Sequence, residues 1–257
     1  MIDGRSLKVK LFGDGADIDV IAELAKNPLI RGFTTNPTLM RKAGVTDYRA
    51  FAQEALAIIG EKPISFEVFS DDFAEMRVQA MEIASWGASV GASSGAAKNI
   101  YVKIPVSNTR GDFSGPLIRD LTGAGVQVNV TAVMTPEQVT AVLNHLSKDV
   151  RSYVSVFAGR IADTGRDPCP IMSECVKILK SNPASELIWA SPRELLNVFQ
   201  AAAVGCHIIT ATNDVLSKLP LVGKSLDEFS LDTVKMFRKD AVAANYTITA
   251  KSGVAPA

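Results

Sequence analysis

The chain has 257 residues, with 27 lysines and arginines balanced by 27 aspartates and glutamates, 47% apolar and 21% charged. That make-up is of a soluble globular protein with a large core, either one α/β barrel or two smaller domains. A net charge of zero argues against a nucleic-acid binder, which carries a basic excess or stripe, but allows an anionic small substrate held by a few arginines.

In chain order, short β-rich segments alternate with helical patterns. The first four predicted strands are Leu7–Phe12, Ile30–Thr35, Pro63–Phe69 and Tyr101–Val106. The next four are Gln127–Val133, Tyr153–Phe157, Leu187–Ala190 and Cys206–Thr210. Between them, Ile18, Ile21, Leu24 and Ala25, and then Phe73, Met76, Ala80 and Ile83, recur mostly at three- or four-residue spacing, as on one face of a helix. Thr135-Pro-Glu-Gln138 and Ser191-Pro-Arg-Glu194 read as capping boxes with proline at the first helical position, the first continued by Val139, Val142, Leu143 and Leu146. A closing helix is predicted beyond about Ser225, with Leu231, Val234 and Phe237 among its apolar positions.

Strand–helix alternation implies parallel pairing through right-handed crossovers. Eight such units in one chain fit a single (β/α)₈ barrel with an additional C-terminal helix. A doubly wound sheet would call for a glycine-rich phosphate loop near the first strand. Gly13-Asp-Gly15 lacks the third glycine, and Gly223-Lys-Ser225 has Lys218 where a P-loop needs glycine, so both read as ordinary turns.

Three cysteines (Cys169, Cys175, Cys206), an odd count with no CxxC pair, argue against a disulfide scaffold or zinc site and for a reducing cytosol. Two histidines, His145 in the fifth helix and His207 in the eighth strand, have no partner at metal-ligand spacing and read as structural. The opening MIDGRSLKVKLFG has no apolar h-region, and no run approaches the ~18 apolar residues of a membrane span. A cytoplasmic protein with no secretory leader is expected.

Polar side chains interrupt the predicted strands near their ends. Asp14 falls just past the first, Thr34 and Asn36 end the second, and Glu67 lies near the end of the third. Lys103 sits within Tyr101-Val-Lys-Ile-Pro105, Asn129 and Thr131 on the fifth strand, Ser155 and Phe157 on the sixth, with Arg160 just beyond. Residues two apart on a strand share a face, and in a barrel the strand C-termini converge on the active end. Lys103 points either outward or into the pocket. Turned inward, desolvation would favour the free amine that attacks a carbonyl; otherwise the lysine is a structural ion pair with Glu67. Asp14 reads as a catalytic group or a helix-start residue, with Asp17 the better N-cap. Arg160 and Arg193 read as surface charges or anion ligands. Arg193 is predicted in the first turn of the helix after the seventh strand, where Ser191 would be the N-cap and the helix dipole favours an anion. Asp163 and Asp167 read as loop-forming.

Gly32-Phe-Thr-Thr-Asn-Pro-Thr38, Ser65-Phe-Glu-Val68, Val102-Lys-Ile-Pro105, Val128-Asn-Val-Thr131 and Ser155-Val-Phe-Ala-Gly-Arg-Ile161, in this order, resemble the transaldolase family across nearly the whole chain. The resemblance implies a Schiff-base mechanism without metal or cofactor, sugar phosphate substrates, and a homo-oligomer, as a ring or paired rings (pentamer or decamer). It assigns Lys103 as the amine that bonds C2 of a ketose phosphate and Asp14 as the base for the C4 hydroxyl. Glu67 and Thr131 would position a proton-shuttling water, and Asn36 and Asn129, supported by Thr34 and Ser155, would hold the dihydroxyacetone hydroxyls. Arg160, Arg193 and Ser191 would bind phosphate. Glu67 and Phe157, where the fructose-6-phosphate aldolase branch has glutamine and tyrosine, favour transfer over release of dihydroxyacetone. Two positions depart from the family pattern: Gly15 follows the first-strand aspartate in place of a hydroxyl residue, and Pro192 stands within Ser191-Pro-Arg193. The alternatives are an aldolase that releases dihydroxyacetone and a catalytically silent barrel used as a scaffold.

Overall fold

A computed structural model of the chain describes residues 7–91 and 99–248. The first half comprises β1 (Lys10–Asp14), α1 (Ile18–Lys26), β2 (Ile30–Thr34), α2 (Pro37–Lys42), α3 (Tyr48–Ile58), β3 (Ile64–Glu67), α4 (Phe73–Gly91) and β4 (Ile100–Pro105). There follow α5 (Gly115–Gly123), β5 (Val128–Val133), α6 (Pro136–Leu143), β6 (Ser152–Val156), α7 (Ala158–Ala162) and α8 (Pro168–Leu179). Last come β7 (Ser185–Trp189), α9 (Leu196–Ala203), β8 (Ile208–Ala211), α10 (Asn213–Leu216) and α11 (Leu226–Ala243). The eight strands pair in parallel in sequence order, and β8 closes onto β1, giving the (β/α)₈ barrel that the alternation predicts.

Each strand divides its side chains between two cores. Val102, Ile104, Val128, Val130, Val154 and Val156 pack outward against the helices, where Ile21, Met76, Val139 and Met172 meet them. The alternate residues Phe12, Tyr101, Tyr153, Ile188 and Ile208 fill the barrel interior. There the Tyr101 and Tyr153 rings stack at 3.7 Å and Phe12 meets Tyr153 edge-on at 6.0 Å. Gly32 makes room for this plug, because a Cβ there would lie 2.5 Å from the Phe12 ring. Two residues further along the same strand faces stand Asp14, Lys103 and Ser155, so a polar layer lies directly above the apolar one. No described helix is long and apolar enough to cross a membrane.

Several local expectations shift. The first strand begins at Lys10 rather than Leu7, because its ladder to β8 starts at the Lys10–Ile208 pair; it runs on to Asp14, which is paired with Thr34 and so is a strand residue. Gly13 is likewise in the strand, not in a turn. His207 precedes β8 and accepts the Leu187 amide at 3.0 Å, and His145 lies just beyond α6, edge-on to Phe113. The Thr135 capping box forms with both of its bonds. The one at Ser191 does not: Ser191 takes a left-handed backbone (φ 59°), and α9 starts only at Leu196. Arg193 therefore sits in a loop, where Asn197 Oδ1 accepts from the amides of Arg193 and Glu194.

The barrel unit ends at Leu219, and from Pro220 the chain forms a second compact unit. Its helix α11 follows Ser225 as predicted. Leu231, Val234 and Phe237, whose spacing predicts that helix, are more than half exposed.

Candidate active site

The C-terminal ends of the strands surround a cavity of about 440 Å³. Its wall includes Asp14, Thr34, Asn36, Glu67, Lys103, Thr131, Ser155, Phe157, Arg160, Ser191 and Arg193. Eleven of the twelve residues singled out from the sequence thus meet at one end of the barrel. The twelfth, Asn129, is fully buried and stands behind the wall.

Lys103 points inward. Its side chain is 7% exposed, its Nζ lies 3.0 Å from Glu67 Oε2, and it donates to the Thr35 carbonyl at 2.8 Å. The register explains the pairing, since Glu67, Lys103 and Asn129 are consecutive partners across β3, β4 and β5. Both readings of Lys103 are therefore realised together: it is ion-paired with Glu67 and it faces the cavity. A carboxylate at this distance keeps Lys103 from being an isolated buried charge and sets an acceptor beside its amine.

Across the cavity, Thr34 donates to Asp14 Oδ1 at 2.7 Å. Thr34 and Thr210 hydroxyls are also bonded to each other, and since the Thr34 proton goes to Asp14, Thr210 is the donor in that bond. Desolvation raises the Asp14 pKa above its ordinary value, outweighing the Lys103 charge and the Thr34 bond, which both lower it. A carboxyl so shifted is a stronger base once ionised, which suits removal of a hydroxyl proton.

The floor is braced by Asn129, whose amide donates to Ser65 Oγ at 3.0 Å and accepts from Ser155 Oγ at 2.7 Å. These two bonds fix Ser155 beside Asn129 and leave the second N–H of the Asn129 amide. Asn36 caps α2 by accepting from the Leu39 amide, leaving its NH₂ as the group it can offer a ligand. Thr131 is different: its hydroxyl is buried and has no hydrogen-bond partner. It sits where the β5–β6 register slips, beside Ala132 at φ 60°. Three described non-glycine residues have positive φ, and two of them, Ala132 and Ser191, line this cavity.

The rim carries the positive charge. Arg160 belongs to α7, which begins directly after β6. Arg193 is fixed by Asp163, through Nε to Oδ1 at 2.9 Å and Nη2 to Oδ2, and by Ser191 Oγ at 3.1 Å from Nη1. Gly159 lets the Ser191 loop approach, because a Cβ there would lie 1.6 Å from the Ser191 carbonyl oxygen. Asp163 does more than form a loop, and Asp167 caps α8 by accepting from the Cys169 amide. Sequence reasoning also passed over Thr210, Ser65 and Tyr48. Thr210 and Ser65 could have been found as polar residues in phase with the inward face of their strands; nothing local marks Tyr48. Among the described residues, no group of three or more His, Cys, Asp or Glu gathers to hold a metal ion.

A parallel eight-stranded barrel with a buried lysine, two carboxyls and two rim arginines at its C-terminal end defines a class of enzyme-like barrels suited to carbonyl chemistry on an anionic substrate. The family model for transaldolase/fructose-6-phosphate aldolase matches residues 11–248, and the chain belongs to that family. It is 33% identical over 228 residues to a protein of Dehalococcoides mccartyi named probable transaldolase, covering 87% of this chain and 97% of the relative. Proteins of the same name from Methanococcus maripaludis (31% over 228 residues, 87% of this chain and 97% of the relative) and Nitrosopumilus maritimus (30% over 233 residues, 89% and 96%) are also similar.

Proposed function

We propose that this protein is a cytoplasmic transaldolase, working as a homo-oligomer, that moves a dihydroxyacetone unit from a ketose phosphate to an aldose phosphate. The observation that carries the reading is the buried Lys103 amine beside Glu67, in the same cavity as Asp14 and below Arg160 and Arg193.

The Lys103 amine attacks the C2 carbonyl, and loss of water leaves a protonated imine, with Glu67 and the free Thr131 hydroxyl holding the water that carries protons. Asp14 takes the C4 hydroxyl proton. The C3–C4 bond breaks, its electron pair flows into the imine, and the aldose departs. The remaining enamine then attacks an acceptor aldehyde, and hydrolysis of the new imine frees the lysine. Asn36 and Ser155 hold the hydroxyls of the three-carbon unit, and Arg160, Arg193 and Ser191 hold the phosphate. Phe157 has no hydroxyl with which to protonate the enamine, which favours transfer over release.

Borohydride reduction in the presence of fructose 6-phosphate tests the covalent step. The expected adduct adds the three-carbon unit to Lys103 and is absent from Lys103→Ala, whose activity falls by about 10⁴-fold or more. Adding erythrose 4-phosphate without reductant should yield a seven-carbon ketose phosphate. Free dihydroxyacetone as the main product would make the enzyme an aldolase, and no adduct despite bound substrate would leave a silent scaffold.

A further inference from the structure

β3 is only four residues long, and Glu67, its last residue, has an unusual backbone environment. On the β4 side the ladder continues past it, with the Val68 amide donating to the Lys103 carbonyl at 3.2 Å. On the β2 side, the Phe33 amide donates to the Pro63 carbonyl at 2.8 Å and the Thr35 amide to the Ser65 carbonyl at 3.1 Å. The two-residue period of a parallel ladder next calls for an N–H at residue 37, opposite the Glu67 carbonyl. Residue 37 is Pro37, which has no N–H and already opens α2. The Glu67 carbonyl therefore has no strand partner, and the Thr35 carbonyl that its amide would meet in a regular ladder accepts Lys103 Nζ instead, so both groups need another partner.

One oxygen meets both groups. The Tyr48 hydroxyl accepts from the Glu67 amide at 2.8 Å and donates to the Glu67 carbonyl at 3.0 Å. Tyr48 opens α3, with Asp47 as the N-cap, and its ring is gripped by Phe69 at 4.7 Å, Trp86 at 5.3 Å and Phe66 at 6.0 Å. Burial pushes its phenol pKa well above the ordinary value, so the hydroxyl keeps the proton it donates. Tyr48 does not line the cavity.

We propose that Tyr48 is a positioning residue for Glu67: its hydroxyl replaces the strand neighbour that Pro37 cannot be, and so holds the Glu67 carboxylate against the Lys103 amine. The inference rests on the reading that Lys103 and Glu67 perform chemistry, and it acts only through Glu67.

The test compares full-length Tyr48→Phe and Phe69→Leu with wild type, counting active sites by the borohydride adduct at Lys103. Tyr48→Phe should lower kcat per trappable site by about ten- to a hundredfold, as small misplacements of catalytic groups do, with KM for fructose 6-phosphate within about twofold. Phe69→Leu, which loosens the ring packing and keeps the hydroxyl, should lower the Tm and leave kcat per site unchanged. Unchanged kcat per site in Tyr48→Phe, whatever its Tm, overturns the proposal. Amide exchange by NMR on wild type is independent of any variant: the Glu67 amide should be protected like its ladder neighbours, and fast exchange would show that the brace does not persist in solution. A wild type that forms no adduct sinks the functional reading and the catalytic half of this inference; the exchange result still decides the brace.

Discussion

Arg193 gives the Nε–Nη2 edge of its guanidinium to Asp163, so that only the Nη1–Nη2 end of the fork remains to meet a ligand. Nη1 also donates to Ser191 Oγ, which ties the arginine to the left-handed turn after β7. An exposed ion pair contributes little to stability. It can still hold a long side chain in one orientation, which would otherwise cost a ligand the ordering entropy of the arginine.

Asp163→Asn is therefore expected to leave the Tm within about 2 °C of wild type. Its KM for a phosphorylated ketose should rise about three- to tenfold, because the loss of orientation outweighs relief from a competing carboxylate. The KM for unphosphorylated fructose as donor should not move. Steady-state kinetics with both donors check this, and a lower KM for the phosphorylated donor would show that Asp163 competes with phosphate more than it positions Arg193.

Thr131 offers a cleaner separation of stability from function. The Thr131 hydroxyl has no protein hydrogen-bond partner, so replacing it with a methyl removes no bond within the protein and is neutral or stabilising by up to about 1 kcal/mol. Thr131→Val should unfold at the same or higher denaturant concentration than wild type. Its kcat should fall about ten- to a hundredfold if the hydroxyl orders the shuttling water. Loss of stability together with activity would mean that the hydroxyl has a partner in solution.

Asp14 makes a prediction with a defined sign. Burial raises its folded pKa above the ordinary 3.8, so between those two values the folded state keeps a proton that the unfolded chain releases. The stabilising contribution is full below the ordinary value and is lost as pH rises through the folded one. At neutral pH the carboxyl therefore costs stability, because the unfolded chain ionises it more readily than the folded state does. Asp14→Asn should abolish transfer while raising the Tm at pH 7 by about 2–4 °C, with the gain vanishing in acid below the ordinary carboxyl pKa. Thermal melts across pH measure it directly, and a Tm gain that grew in acid would reverse the sign.

The barrel was legible because its strands carry short apolar runs such as Leu187–Ala190, and its helices repeat apolar residues at helical spacing, as Met76, Ala80 and Ile83 do. The site was legible for a related reason. Lys103, Asn129 and Ser155 stand out only because an apolar run surrounds each, and strand alternation then places them in phase. Ser191-Pro-Arg-Glu194 misled because the capping residues are all present. The close approach of Ser191 to Gly159, together with the bonds that Asn197 Oδ1 accepts from the Arg193 and Glu194 amides, draws that segment into a loop instead.

By itself, the amino-acid order determined the eight strand–helix units, the polar layer at the strand ends and the chemical types gathered there, since periodicity and side-chain identity are local properties. Only the tertiary structure decided which groups are paired and which are free. Glu67 meets Lys103 through strand register, Arg193 is claimed by Asp163 from 30 residues away, and Tyr48 reaches forward 19 residues to finish a ladder that Pro37 interrupts. Those relationships depend on the pairing and packing of neighbouring strand–helix units, which bring together groups whose separation along the chain carries no trace of their contact.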